Sequence, residues 1–194
     1  MLLLASKSPR RREILRNAGI LFEPRPVDIC ELRSDAESPE AYVRRLAREK
    51  AEAVAAGADD IVLGADTVVA VGERVLEKPQ DAADARRMLY LLAGRSHFVI
   101  TGVCLRSARR TVIDSERTMV RFAPLTDAEI EAYVDSGEPM DKAGGYAIQG
   151  LASKFIERIE GCYFNVVGLP VARVYRLLKE LEESGGGSEI RAGA

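Results

Sequence analysis

Apolar residues fall in short blocks along this chain, and their spacing switches between the strand period and the helix period. Leu2 to Ala5 is a continuous apolar run of strand length. Ser8-Pro9 then starts a helix, with Ser8 as N-cap and Pro9 in the first position, and Gly19 ends it. Leu21, Phe22 and Val27 predict a second strand before a polar loop through Glu31 and Asp35. Ser38-Pro39 repeats the helix start, and Ala41, Val43, Leu46, Ala47 and Ala51 recur at helical spacing up to Gly57. Ile61–Gly64 and Thr67–Val71 read as β-rich runs broken at Ala65-Asp66, and Gly72-Glu73 turns the chain back through Val75-Leu76. Asp81 caps a helix bearing Ala85, Met88, Leu89 and Leu92. Phe98–Leu105 and Thr111–Phe122 are two long strands joined by a polar turn. Thr126 with Glu129 is a capping box for a helix to about Ser136, Phe155–Ile159 is a further strand, and Pro170 opens a last helix through Leu181.

Consecutive strands without a helix between them, set among helix–strand alternations, predict an α/β fold on a mixed, partly antiparallel twisted sheet with flanking helices. No internal repeat or linker divides the chain, so residues 1–183 read as one domain. The long hairpin and the helix after it are expected to form a second lobe across a central cleft. The Ser-Gly-Gly-Gly-Ser stretch from Ser184 reads as a flexible tail over 184–194.

Composition narrows the function classes. Of 194 residues 47% are apolar and 30% charged, which describes an ordinary globular protein. The 28 basic and 30 acidic residues leave a net charge of −2, without the diffuse positive field of a general nucleic-acid binder. Any bound anion must therefore meet a local cluster. Cys30, Cys104 and Cys162 form no CxxC pair and His97 is the one imidazole, which argues against structural zinc and for a reducing compartment. The apolar start is too short for a signal peptide and no run reaches membrane-span length, so a cytoplasmic protein without membrane association is expected.

The first chemical signal is Ser6-Lys7-Ser8-Pro9-Arg10-Arg11-Arg12. Three arginines crowd a helix N-terminus, where the macrodipole disfavours cations unless an anion is held by backbone N–H groups, serine hydroxyls and guanidinium forks. A solvated basic turn is the plain alternative. The second is Asp66 between two apolar runs: an acid there is costly unless it is paired, coordinates a cation or moves a proton, although an acidic turn residue fits the same pattern. Glu31, in a polar loop, offers the hard oxygen that Mg²⁺ or Mn²⁺ prefers, and by itself matches any solvated loop acid. Lys78, before Pro79 and after a strand, suits a point-charge phosphate contact or an ordinary surface position, and Lys50 is weighed with it. Tyr146-Ala147-Ile148-Gln149-Gly150 sets a flat ring and an amide among glycines, suited to the edge of a nucleobase or to a structural turn. His97 reads as a strand-start residue with a satisfied ring, and the cysteines as small apolar fillers. No GxGxxG and no GxxxxGK[ST] segment is present.

These segments together resemble the Maf family of nucleoside triphosphate pyrophosphatases, also called septum formation inhibitors. The matching pieces are Leu4-Ala5-Ser6-Lys7-Ser8-Pro9-Arg10-Arg11, Leu46-Ala47-Arg48-Glu49-Lys50-Ala51 and Gly64-Ala65-Asp66-Thr67-Val68-Val69. After them come Glu77-Lys78-Pro79, Thr101-Gly102-Val103, Asp141-Lys142-Ala143-Gly144-Gly145-Tyr146, Ile148-Gln149-Gly150 and Asn165-Val166-Val167-Gly168-Leu169-Pro170. The resemblance implies a two-lobed fold similar to inosine triphosphate pyrophosphatases, a homodimer, and cleavage of a nucleoside triphosphate to its monophosphate and pyrophosphate. It makes Asp66 the general base, taking a proton from water that is free or held by the metal. It further implies a divalent cation at Glu31 and Asp66, with Ser6, Ser8, Arg10, Arg11, Lys50 and Lys78 around the triphosphate and Tyr146 and Gln149 toward the base. Arg10, Thr67 and Gln149 correspond to the positions tied to substrate choice, and the version here looks like the dTTP/UTP branch, with modified pyrimidine nucleotides as further substrates and a role in cell-division arrest.

The chain departs from the family pattern at Lys7, where a small residue is usual, at Cys30, where an acid often precedes Glu31, and at Ala93-Gly94-Arg95, which replaces a serine-led turn. The competing readings are a 7-methyl-GTP or broad house-cleaning pyrophosphatase and a nucleotide-binding septation regulator that does not need catalysis. An RNA-binding platform is disfavoured by the 6% aromatic content.

Overall fold

The computed structural model describes residues 1–34 and 36–185; from 186 on, the expected tail lies outside the described residues. Strands are β1 (Leu2–Ala5), β2 (Glu23–Pro24), β3 (Ile61–Val71), β4 (Arg74–Leu76), β5 (Ser96–Arg106), β6 (Thr111–Phe122) and β7 (Ile156–Glu160). Helices are α1 (Pro9–Asn17), α2 (Pro39–Glu52), α3 (Ala82–Leu92), α4 (Asp127–Asp135), α5 (Tyr163–Val167) and α6 (Val171–Gly185), with short 3₁₀ turns between Glu138 and Phe155. The expected mixed α/β architecture is present: one sheet in the order β2-β1-β3-β5-β6-β7, with β4 on β3. β1 pairs in parallel with both β2 and β3, whereas β4 on β3 and β7 on β6 are antiparallel.

The chain divides into two compact units. The first comprises Met1–Asp66, Thr101–Glu116 and the chain from Gly168; the second comprises Thr67–Ile100 and Arg117–Val167. In the first, Leu3, Ala5, Ala47, Ala51, Val54, Val62 and Cys104 pack together, uniting α2 with β1, β3 and β5. Two glycines let α2 lie close on the strands: a Cβ on Gly64 would sit 2.0 Å from the Ala47 carbonyl oxygen, and one on Gly102 would sit 2.2 Å from that of Val43. Arg106 closes the C-terminal end of α2, donating to the carbonyls of Ala51 (3.0 Å) and Val54 (2.6 Å). The second unit is built on Val69, Leu89, Leu92, Phe122, Ile130, Tyr133, Tyr146 and Phe155.

Cap chemistry places the helix starts where the sequence predicts them. Ser8, Ser38, Asp81 and Thr126 each accept a backbone N–H of the first turn, and Thr126 with Glu129 completes the capping box. Three expectations change. The strand expected around Leu21–Val27 shrinks to Glu23–Pro24, because Pro24 and Pro26 lack the N–H a longer ladder needs. The last helix continues past Leu181 to Gly185. The break expected at Ala65-Asp66 is absent: β3 runs unbroken from Ile61 to Val71, so Asp66 is a strand residue.

Candidate active site

An ionisable residue inside a buried strand needs compensation. Asp66 is 8% exposed, and its Oδ1 accepts a hydrogen bond of 2.6 Å from the Lys50 ammonium. Lys50 stands on the face of α2 that Gly64 brings close, because Ala47 and Ala51 are the residues whose backbone a Gly64 side chain would strike. The same Nζ lies 2.6 Å from Glu31 Oε1. One ammonium thus holds a buried and a half-exposed carboxylate together. Burial raises the Asp66 carboxyl above the usual aspartate range, with Lys50 and Arg11 opposing that shift and Glu31 adding to it.

The β1–α1 turn borders this cluster. Ser6 Oγ accepts from the Ser8 N–H (3.2 Å) and from Arg11 Nη1 (3.2 Å), and Ser8 Oγ accepts from the Arg11 N–H (3.4 Å). The Arg11 guanidinium is buried and also donates to the carbonyls of Gly168 (2.9 Å) and Ala65 (2.8 Å). It ties α1 to β3 and to the chain entering α6, and lies close enough to Asp66 to feel its charge. Burial lowers its pKa and Asp66 works against that. Arg10, on the next turn position, is half-buried. Lys7 points away from this network into an exposed ion pair with Asp28, so its added charge is met locally.

Two carboxylates converging on one cationic point form a donor set that fits a hard divalent cation, which takes one or two carboxylates and completes its shell with water and phosphate oxygens. No group of three or more His, Cys, Asp or Glu able to hold a metal occurs among the described residues.

Thr67, Lys78, Tyr146 and Gln149 belong to the second unit. Thr67 is half-buried; Lys78 and Gln149 are exposed. Tyr146, expected to face a base, has its ring in the core: it packs edge-on to Phe122 at 4.8 Å between centroids, and its hydroxyl meets His97 Nε2 at 2.8 Å. His97 is 1% exposed and burial lowers its pKa to about 4, so the ring is neutral. Asn165, quoted above only within a motif, is fully buried and donates to Val99 O and Thr118 Oγ1, each at 3.0 Å. The roles of Gly64 and Gly102 escape sequence reading because a close helix–strand approach leaves no periodic signal.

A family model described as Maf-like protein matches residues 1–181. The chain belongs to the Maf family. A relative named dTTP/UTP pyrophosphatase in Koribacter versatilis (strain Ellin345) is 51% identical over 92% of this chain and 93% of its own length. One of the same name in Anaeromyxobacter dehalogenans (strain 2CP-1 / ATCC BAA-258) is 52% identical over 92% of each chain. A third, in Bacillus cytotoxicus, is 48% identical over 93% of this chain and 95% of its own. No helix of the described residues is long and apolar enough to cross a membrane.

Proposed function

We propose that this chain is a nucleoside triphosphate pyrophosphatase that hydrolyses dTTP and UTP to the monophosphate and pyrophosphate. The reading is carried by the Asp66–Lys50–Glu31 cluster around the buried Asp66, at 2.6 Å for each contact, in a chain about half identical to relatives of that name. Asp66 is the general base: a carboxylate raised in pKa by burial accepts a proton better than a solvated one. The water oxygen bonds to the α phosphorus as its proton passes to Asp66. The bond from the α phosphorus to the bridging oxygen breaks, and the electron pair leaves with pyrophosphate.

Arg10, Lys50 and Lys78 neutralise the triphosphate, and Ser6 and Ser8 shape the turn that receives it. Arg11 adds a fixed positive charge beside that turn through its bonds to Ser6, Ala65 and Gly168. Glu31 and Asp66 would hold a Mg²⁺ or Mn²⁺ ion, whose charge would polarise the α phosphate. Arg10, Thr67 and Gln149 select the base; Tyr146 serves by anchoring the turn that bears Gln149. The same reading takes 1–183 as one catalytic domain acting as a homodimer in the cytoplasm, in keeping with three cysteines present as free thiols.

The test is pyrophosphate release with Mg²⁺ or Mn²⁺ from dTTP, UTP, CTP and 7-methyl-GTP, by wild type and Asp66→Asn. Wild type is expected to prefer dTTP and UTP, and the variant to lose about 10²- to 10⁴-fold in rate, as for a lost general base. Preference for 7-methyl-GTP overturns the substrate branch. Undiminished turnover in Asp66→Asn overturns the base, and no turnover with either metal overturns the enzyme.

A further inference from the structure

The turn that carries Gln149 is held at three points, all within the second unit. At its start the Gly144 N–H donates to Glu77 O at 2.9 Å, with φ at 70° and Val69 so close that a Cβ would sit 2.6 Å from its side chain. In the middle Tyr146 is pinned by His97 and Phe122. At its end the Leu151 N–H donates to Glu138 Oε2 at 2.9 Å. The other carboxylate oxygen, Oε1, accepts from the Tyr133 hydroxyl at 2.9 Å. Tyr133 is buried in the core of that unit, edge-on to Phe155. The carboxylate also lies against the Cα of Gly150, where any side chain would collide with it: a Cβ would sit 2.3 Å from Oε1. Between these anchors the Gly150 N–H closes a turn onto Ala147 O at 3.2 Å, and Gln149 stands exposed on it.

We infer that Glu138 is a positioning residue for base selection: it latches the end of the Ala147–Gly150 turn to Tyr133, and thereby fixes where the Gln149 amide stands. This rests on the reading of Gln149 as a base-selecting residue. An amide can discriminate between base edges only when its donor and acceptor are held in place, because a mobile side chain can offer either to either base. Glu138 lies outside the groups assigned to the chemistry, so loosening the latch is expected to act on selection and not on the bond-breaking step.

The variants are Glu138→Ala, which removes both hydrogen bonds; Glu138→Gln, which keeps a carbonyl for the Leu151 N–H; and Tyr133→Phe, which removes only the inner partner. Each is assayed for kcat and KM on dTTP, UTP and CTP, and amide exchange is followed at Ala147–Gln149. In Glu138→Ala the dTTP-over-CTP ratio of kcat/KM is expected to fall about tenfold, through KM and not kcat, the size of one well-made hydrogen bond to a charged group. Exchange at Ala147–Gln149 rises, Tyr133→Phe lies between, and Glu138→Gln recovers most of the ratio. An unchanged ratio with unchanged exchange overturns the latch, as does an equal loss of kcat on all three nucleotides. If wild type itself shows no preference for dTTP and UTP over CTP, the Gln149 reading fails, and unchanged exchange in Glu138→Ala still overturns the latch separately.

Discussion

Replacing Gly64 by Ala tests the link between packing and chemistry most directly. The added Cβ would stand 2.0 Å from Ala47 O and 2.8 Å from the Ala51 N–H nitrogen. Ordinary contact for such atoms is about 3.5 Å, so α2 must retreat by more than about 1 Å. Both obstructing atoms are backbone, and no rotamer change can relieve them. Overpacking a core costs about 1–3 kcal/mol, and a backbone obstruction belongs at the upper end. At about 2–4 °C per kcal/mol for a chain of this size, the melting temperature should fall by about 6–12 °C. Lys50 lies between the two obstructed residues on α2, so its ammonium moves away from Asp66 and Glu31. A 1 Å misplacement of a catalytic group can cost about 10²-fold in rate. Calorimetry and dTTP turnover at 20 °C, where the variant is still folded, read the two effects. Gly57→Ala is the control, since its Cβ meets only the Asp60 carboxylate, at 3.2 Å. A Gly64→Ala protein that melts like the control and turns over dTTP at the wild-type rate refutes the claim that this close approach positions Lys50.

Two further outcomes follow from buried groups. Arg11→Lys replaces a fork reaching the carbonyls of Ala65 and Gly168 by a single nitrogen, leaving a buried acceptor unmet; urea unfolding should show a loss of about 1–3 kcal/mol, and a midpoint equal to wild type sinks the idea. His97 binds its proton at about pH 4 when folded against an ordinary 6.5, so below 6.5 the unfolded chain takes up the proton first and stability is lost as pH falls toward 4. Between pH 7.5 and 5 this amounts to about 2 kcal/mol, from 1.36 kcal/mol per pH unit. His97→Gln removes that component, so its urea midpoint should depend less steeply on pH, whereas parallel curves for the two proteins exclude His97 as the source.

Local chemistry was legible along the chain. Serine, aspartate and threonine caps act within four residues, so the starts of α1, α2, α3 and α4 stand where hydroxyl and carboxylate spacing puts them. Ser6 and Asp66 stood out by their own chemistry, whereas Lys50 and Glu31 looked like ordinary surface residues and were singled out through the family resemblance. What no local pattern carries is their juxtaposition. Asp66 read as a break because its charge interrupts an apolar run; folding supplies an ammonium from 16 residues upstream, and the strand continues through it. Tyr146 read as a ring for a base, whereas the core supplies His97 and Phe122 as its partners, 49 and 24 residues away in sequence. Hydrogen bonds between neighbours are written in the order of residues, so the sequence by itself determined the starts of α1 to α4 and most of the strands, but not α5. The energy of a buried charge or hydroxyl depends on groups distant along the chain, and only the tertiary structure decided which of them became an ion-paired carboxylate and which an anchor.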